Sequence, residues 1–412
     1  MIEFQKFTLS NGLKVLVLPD KTTPVVAINI LYQVGAKNEN PNLTGFAHLF
    51  EHLMFGGSIN IPKYDEPLQK VGGENNAFTN NDFTNYYLTL PKENIETGFW
   101  IESDRMLDLA FSEKSLEVQR NVVIEEYKQR YLNQPYGDIW LLLRPLVYKV
   151  HPYQWATIGK NIQHIEEATM EDVKAFYKKF YNPNNAILVV AGDVELNQVM
   201  ELSKKWFESI PSGEEIDRKL PMEPIQQEAR FLKVERDVPA NAVFKVYPTY
   251  NRRHVDYFVA DLISDILGNG KSSVLYQKLV NQKHIFNSIN CFLSGDLDGG
   301  ILYIAGYLSD GATAEEADQA IVEELNYLSN HLVDDRQLEK VKNRFLANHE
   351  FSQLSILDKA MNLASCELLG DPNLINTEID SYLSITAADV QRVAKELFTN
   401  EKSNTMYYLK NN

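Results

Sequence analysis

Apolar and polar positions along this 412-residue chain fall into short alternating runs and longer stretches of three- and four-residue spacing, the pattern of a mixed strand and helix protein. Strand-like runs open it: Phe7 to Leu9, a turn at Asn11-Gly12, Leu13 to Leu18, a turn near Pro19-Asp20, and Val25 to Val34, together an expected β-meander. Between Gly45 and Phe55 the residues Phe46, Leu49, Phe50, Leu53 and Met54 recur as an amphipathic helix requires. After a Gly72-Gly73 break, Asn76 to Leu90 is rich in Thr, Tyr and Phe and reads as strands. Ile95 to Leu109, Glu113 to Arg130 and Met170 to Tyr181 read as helices, and Ala186 to Ala191 as a buried strand.

From Phe207 to Gln227 this periodicity gives way to proline and charge, which predicts a linker between two domains, 1–215 and 216–412. The second half repeats the order of the first: strands from Phe231 to Val246, a helix from Val255 to Leu267, a Gly268-Asn269-Gly270 break, a helix to Lys283, strands from Phe286 to Leu308, then helices to the end. EHLMFGGS in the first half is answered by SDILGNGKS in the second. The expected fold class is therefore α+β, as two copies of one unit, with two unrelated α+β domains as the alternative.

Charge narrows the partners. A formal net charge of −16, with no basic patch, disfavours nucleic acid and anionic membrane surfaces. No run approaches the 18 or so apolar residues of a membrane helix, and the polar start predicts a cytoplasmic protein, or a periplasmic one if a signal peptide was removed. Cys291 and Cys366 lack metal or redox spacing and are expected as core thiols.

The sharpest chemical signal is His48-Leu49-Phe50-Glu51-His52. On a helix His48 and His52 lie one turn apart on one face, so both imidazoles can bind one metal ion, with Glu51 beside them. Two histidines and a carboxylate on an apolar helix are costly to bury without a partner. A catalytic zinc needs a third protein ligand, and Glu117 to Glu126 offers one. Taken as a helix, Gln119, Val122, Val123, Glu126 and Arg130 share a face that the two valines mark as buried, while Glu125 lies about 100° round the helix. A solvated Glu125-Glu126 pair is the alternative.

With these residues in view, the chain resembles the pitrilysin/insulinase family of zinc peptidases, the inverzincins, and within it the short bacterial members similar to the mitochondrial processing peptidase beta subunit. The resemblance runs through SNGLKVLV, Gly45 to Gly57, GGENNAFTNNDFTNYY, RNVVIEEY, HPY, FYNPNNAILVVAGDV and ILGNGKSSVLYQKL. It implies two homologous α/β-sandwich halves, each an antiparallel sheet covered by helices, with four such units from two chains enclosing a chamber. It implies zinc on His48, His52 and Glu126, Glu51 as general base, and peptide hydrolysis. Asn76 and Ala77 match the family's substrate-binding edge strand, on which an extended peptide adds as a further strand; an ordinary amphipathic strand is the other reading of this segment. His151, in HPY, is expected as a packed turn residue.

Three positions depart from the family pattern. Gln119 stands where a second Glu is usual, two helical turns before the third ligand. In the second half, Val280 and Asn287 stand where self-sufficient members carry an Arg and, seven residues on, a Tyr that reach the substrate; no arginine lies between Arg253 and Arg336. The expectation is a heterodimer in which a homologous subunit supplies Arg and Tyr; the alternatives are charge supplied by Lys278 or Lys283, and a site that dispenses with the pair. For the function itself, the alternative to a peptidase is a catalytically silent structural or binding subunit of the same fold.

Overall fold

In the computed structural model, which describes residues 1–411, the chain runs β1 (Gln5–Thr8), β2 (Lys14–Pro19), β3 (Val25–Tyr32), α1 (Phe46–Leu53), α2 (Asp65–Lys70), β4 (Glu74–Thr79), β5 (Thr84–Pro91), α3 (Ile95–Leu107), α4 (Glu113–Tyr127), α5 (Ile139–Val147), α6 (Gln163–Glu166), α7 (Met170–Phe180), β6 (Ala186–Gly192) and α8 (Leu196–Phe207). It continues through β7 (Arg230–Arg236), β8 (Ala242–Pro248), α9 (Tyr257–Gly268), β9 (Phe286–Leu293), β10 (Ile301–Leu308), α10 (Ala314–Asn330), α11 (Asp335–Ser352), α12 (Ile356–Leu369), α13 (Leu374–Ser384), α14 (Ala387–Leu397) and β11 (Asn404–Lys410). Single π-helical turns follow α4 at Lys128–Leu132 and precede β9 at Tyr276–Gln282. Among the described residues no helix is long and apolar enough to cross a membrane.

One sheet has the order β1-β2-β6-β3-β5-β4 and the other β7-β11-β8-β10-β9. Strand β6 is buried at every position and takes the middle of its sheet, parallel to β2 and antiparallel to β3. A continuous apolar run needs both faces covered, so β6 separates β2 from β3, and the expected meander does not form. β4, whose residues alternate between exposed and half-buried, takes the edge. The second sheet repeats the last five strands of the first: β7·β11 is parallel as β2·β6 is, and all other neighbours are antiparallel. The chain thus ends on a strand, β11, where helices are expected from the sequence.

Two compact units result, neither contiguous in sequence: residues 1–130, 155–220 and 350–376 form the first, and 131–154, 221–349 and 377–412 the second. Residues 211–228, which include most of the expected linker, hold neither helix nor strand. The division differs from a linear 1–215 and 216–412 because two helices cross over. In the first unit, one sheet face with Leu16, Ala27, Leu31 and Val189 is covered by Ala360, Leu363 and Ala364 of α12. Ion pairs fix that helix at both ends: Lys359 with Asp20, and Glu367 with Lys6 and Lys14. In the second unit, Phe244, Val246, Tyr303 and Met406 are covered by Ile139, Leu143 and Val147 of α5, while the opposite face packs on α9, α10 and α14. Cys291 and Cys366 are both buried thiols.

Candidate metal centre

Helix α1 is short because its surroundings fix both ends. Its N-cap, Gly45, has φ +89°, and a Cβ there would lie 2.7 Å from the Ile158 carbonyl oxygen, so only glycine suits the position. At the other end Gly57 has φ +103°. Phe46, Ala47, Leu49, Phe50 and Leu53 are buried, and the Phe50 ring stacks on Phe176 and Tyr181. With that stripe turned inward, His48, Glu51 and His52 are left together on the remaining face, at spacings of three and four.

Opposite them stands Glu126, near the end of α4. Its Oε2 lies 3.6 Å from His48 Nε2 and 3.5 Å from His52 Nε2, and the three ligand-type atoms all fall within 4.8 Å of one another. Arg130 Nη1 takes the other oxygen, Oε1, at 2.9 Å. Glu125 points to solvent and pairs with Lys128 at 2.8 Å. The buried face of α4 is made by Leu116, Val123, Ile124 and Tyr127. Val122, expected on it, is 44% exposed, so only one of the two valines marks the inward side.

Burial holds the His48 imidazole down at about 4, against the pull of Glu126 and with the help of the His52 and Arg130 charges. At neutral pH it is uncharged and has a lone pair to offer. The hydrogen bond from His52 keeps the Glu126 carboxyl low, against its partial burial, with His48 and Arg130 adding to the effect. Burial raises the Glu51 carboxyl, opposed by hydrogen bonds from the Thr79 hydroxyl and backbone and by His52, and reinforced by Glu126. Two imidazole nitrogens and a carboxylate oxygen within 4.8 Å of one another are a donor set that suits zinc. His48 Nδ1 is buried without a hydrogen-bond partner.

Several supports of this centre are not visible in sequence patterns. Glu39 and Trp155 hold the start of α1, and Thr79 on β4 holds Glu51. Beneath the end of α1 the Arg105 guanidinium is fully buried, paired with Glu102 and set against the Tyr64 and Tyr86 rings, and the Tyr86 hydroxyl donates to the Phe50 carbonyl at 3.3 Å. A Glu-x-x-Arg pair on the apolar side of a predicted helix would have signalled that cluster; Thr79 and Trp155 carry no comparable local signal.

Asn76 and Ala77 lie on β4, opposite Tyr87 and Tyr86, at the free edge of the sheet. Asn76 is exposed and Ala77 half-buried, and the Ala77 N–H donates to Asn76 Oδ1 at 2.8 Å. In the second unit Val280 packs against the core, and Asn287 Nδ2 donates to the Leu308 carbonyl. Lys283, a possible source of positive charge there, is paired with Glu323. His151 is buried, with its ring against Tyr153 and its Nε2 3.3 Å from Asp298.

Two family models match the chain: Insulinase (Peptidase family M16) over residues 14–136, which contain the histidines and Glu126, and Peptidase M16 inactive domain over residues 167–345. The zinc protease PqqE of Helicobacter pylori is 32% identical across 98% of this chain and 92% of its own length. The probable mitochondrial-processing peptidase subunit beta of Schizosaccharomyces pombe is 24% identical over 95% of this chain and 88% of that protein. A crystal structure of a protease from Helicobacter pylori superposes with a TM-score of 0.94 at 30% identity, covering 99% of this chain and all of that one.

Proposed function

The chain belongs to the insulinase family of peptidases, M16, and from that premise we propose that it is a zinc-dependent endopeptidase whose metal rests on His48, His52 and Glu126. The convergence of those three side chains, with Glu51 beside them on α1, is the observation that carries the reading. Zinc held there would lower the pKa of a bound water toward about 7 and polarise the scissile carbonyl.

The remaining work falls to the chain's own groups. Glu51, raised by burial, is suited to accept the water proton on a carboxylate oxygen and return it to the leaving amine. The Thr79 hydrogen bonds keep that carboxyl from turning away. The free edge of β4 would align an extended peptide beside α1 through backbone hydrogen bonds, with Asn76 and Ala77 in contact with it. The substrates are peptides or unfolded segments, cut inside a chamber formed with a second subunit.

That subunit is proposed to be a homologue that supplies the Arg and Tyr for which Val280 and Asn287 leave no counterpart here. The similarity to a relative named as one subunit of a processing peptidase supports the pairing. The same gap favours a second reading, a silent structural or binding subunit of this fold. One experiment separates them: metal-loaded protein, alone and with candidate partners, is incubated with a mixed peptide library and cut sites are read by mass spectrometry. Cleavage that Glu51→Gln abolishes supports the peptidase; no cleavage under any pairing supports the silent subunit.

A further inference from the structure

We propose that Glu39 is a positioning residue of the metal centre, its buried carboxyl group fixing the first turn of α1 and thereby the direction in which His48 presents its imidazole. This rests on the zinc reading of the site.

Helix α1 begins without a side chain that could cap it, since its N-cap is Gly45 and its first residues are Phe46 and Ala47. The first N–H groups of a helix have no partner within it, and Ser, Thr, Asp or Asn at the N-cap ordinarily supplies one. Here the acceptor comes from outside the helix. Glu39 Oε2 accepts from the Gly45 N–H at 2.9 Å and Oε1 from the Ala47 N–H at 2.8 Å. The Trp155 indole N–H adds a third bond at 3.0 Å to Oε2, and the Phe46 N–H also donates to the carboxyl. Glu39 is only 5% exposed. Each of these donors is an N–H group and none is a cation, so burial pushes the Glu39 carboxyl up to about 8, opposed by the hydrogen bonds from Ala47, Gly45, Trp155 and Phe46; what the group supplies to the helix start is two acceptor oxygens held in place.

His48 follows Ala47 directly and so belongs to the turn that Glu39 holds. His52 lies in the last turn, where the Tyr86 hydroxyl on the Phe50 carbonyl gives separate support. Loss of the Glu39 carboxyl group should therefore loosen one ligand while leaving the other in place. The helix itself is kept against the core by Phe46, Leu49, Phe50 and Leu53, which the substitution does not touch.

The test is the zinc affinity of the folded protein, by chelator competition on the full chain, in wild type, Glu39→Gln and Glu39→Asp. Gln keeps the shape but loses one of the two acceptor oxygens, and Asp keeps the carboxyl group but is a methylene too short to span Gly45 and Ala47. The expected result is a loss of about 10- to 100-fold in both variants, the usual scale for groups that orient a metal ligand. The visible spectrum of the cobalt-substituted protein should change as well, with circular dichroism of the zinc-free chain unaltered. A role confined to stability would lower the melting temperature and leave affinity and cobalt spectrum as in wild type, which overturns the proposal. Should Glu39→Gln not fold, wild-type affinity in folded Glu39→Asp overturns it equally. Wild-type protein that binds no zinc would overturn the underlying metal reading too, whereas equal binding by all three overturns the Glu39 role alone.

Discussion

Glu125 and Glu126 are adjacent in the chain and differ in surroundings: one is paired with Lys128 in solvent, the other faces two imidazoles. Glu126→Gln should therefore cut zinc content well below the near one equivalent per chain expected of wild type, and Glu125→Gln should leave it unchanged. Metal analysis of the two purified variants decides, and the reverse pattern would assign the ligand to Glu125. Glu51→Gln should keep the zinc and lose peptide hydrolysis by at least ~10²-fold, the scale of a removed general base; loss of the metal in that variant would make Glu51 a ligand instead. The motif on α1 is legible in sequence because its spacing is local and repeats with the helix. Glu126 is legible through one buried valine, Val123, although Val122 turns outward. Glu39 is not legible: a glutamate in a polar loop looks solvated until Trp155, 116 residues on, is brought against it.

At the scale of elements, periodicity locates the helices and strands but not what covers them. Helix α1 could be placed to within a residue or two from its stripe of Phe and Leu. The α5 segment, IWLLLRPLV, repeats Ile139, Leu143 and Val147 at four-residue spacing, but it is short, holds Pro145, and nothing in it says which sheet the stripe will cover. Strand β11 alternates too briefly to stand apart from the helices before it. Helix α12 does show a stripe, and its ionic ends give a prediction. Burial raises the Asp20 carboxyl, but hydrogen bonds from Lys359 and Thr22 and the Lys359 charge outweigh it and bring it to about 2, below the usual 3.8. A depressed carboxylate contributes stability that is fully present above its unfolded pKa and is lost as pH falls through the folded one. Lys359→Met should thus cost of order 1 kcal/mol at pH 6, and the difference from wild type should shrink by pH 3. Urea titrations at both pH values test it, and a difference independent of pH would rule out Asp20 as its source.

For the molecule as a whole, the absent Arg and Tyr predict that the metal-loaded chain alone has little peptidase activity and gains it when mixed with a homologous subunit carrying R-x6-Y. Strong hydrolysis by the pure single chain would refute this. The repeated order of strands, foreshadowed by EHLMFGGS and SDILGNGKS, was accessible from sequence, whereas the crossing of α5 and α12 was not, since nothing local in a helix says which sheet it will cover. That crossing bears on how the protein is made. Synthesis at about 5–20 residues per second leaves the first sheet, complete at Gly192, waiting roughly 9–35 s for Leu369 to be added. During that interval Leu16, Ala27, Leu31 and Val189 form an uncovered apolar face on a nascent chain. The N-terminal half therefore cannot mature ahead of the C-terminal half, and the growing polypeptide is a natural client for chaperones that shield such surfaces until translation is nearly done.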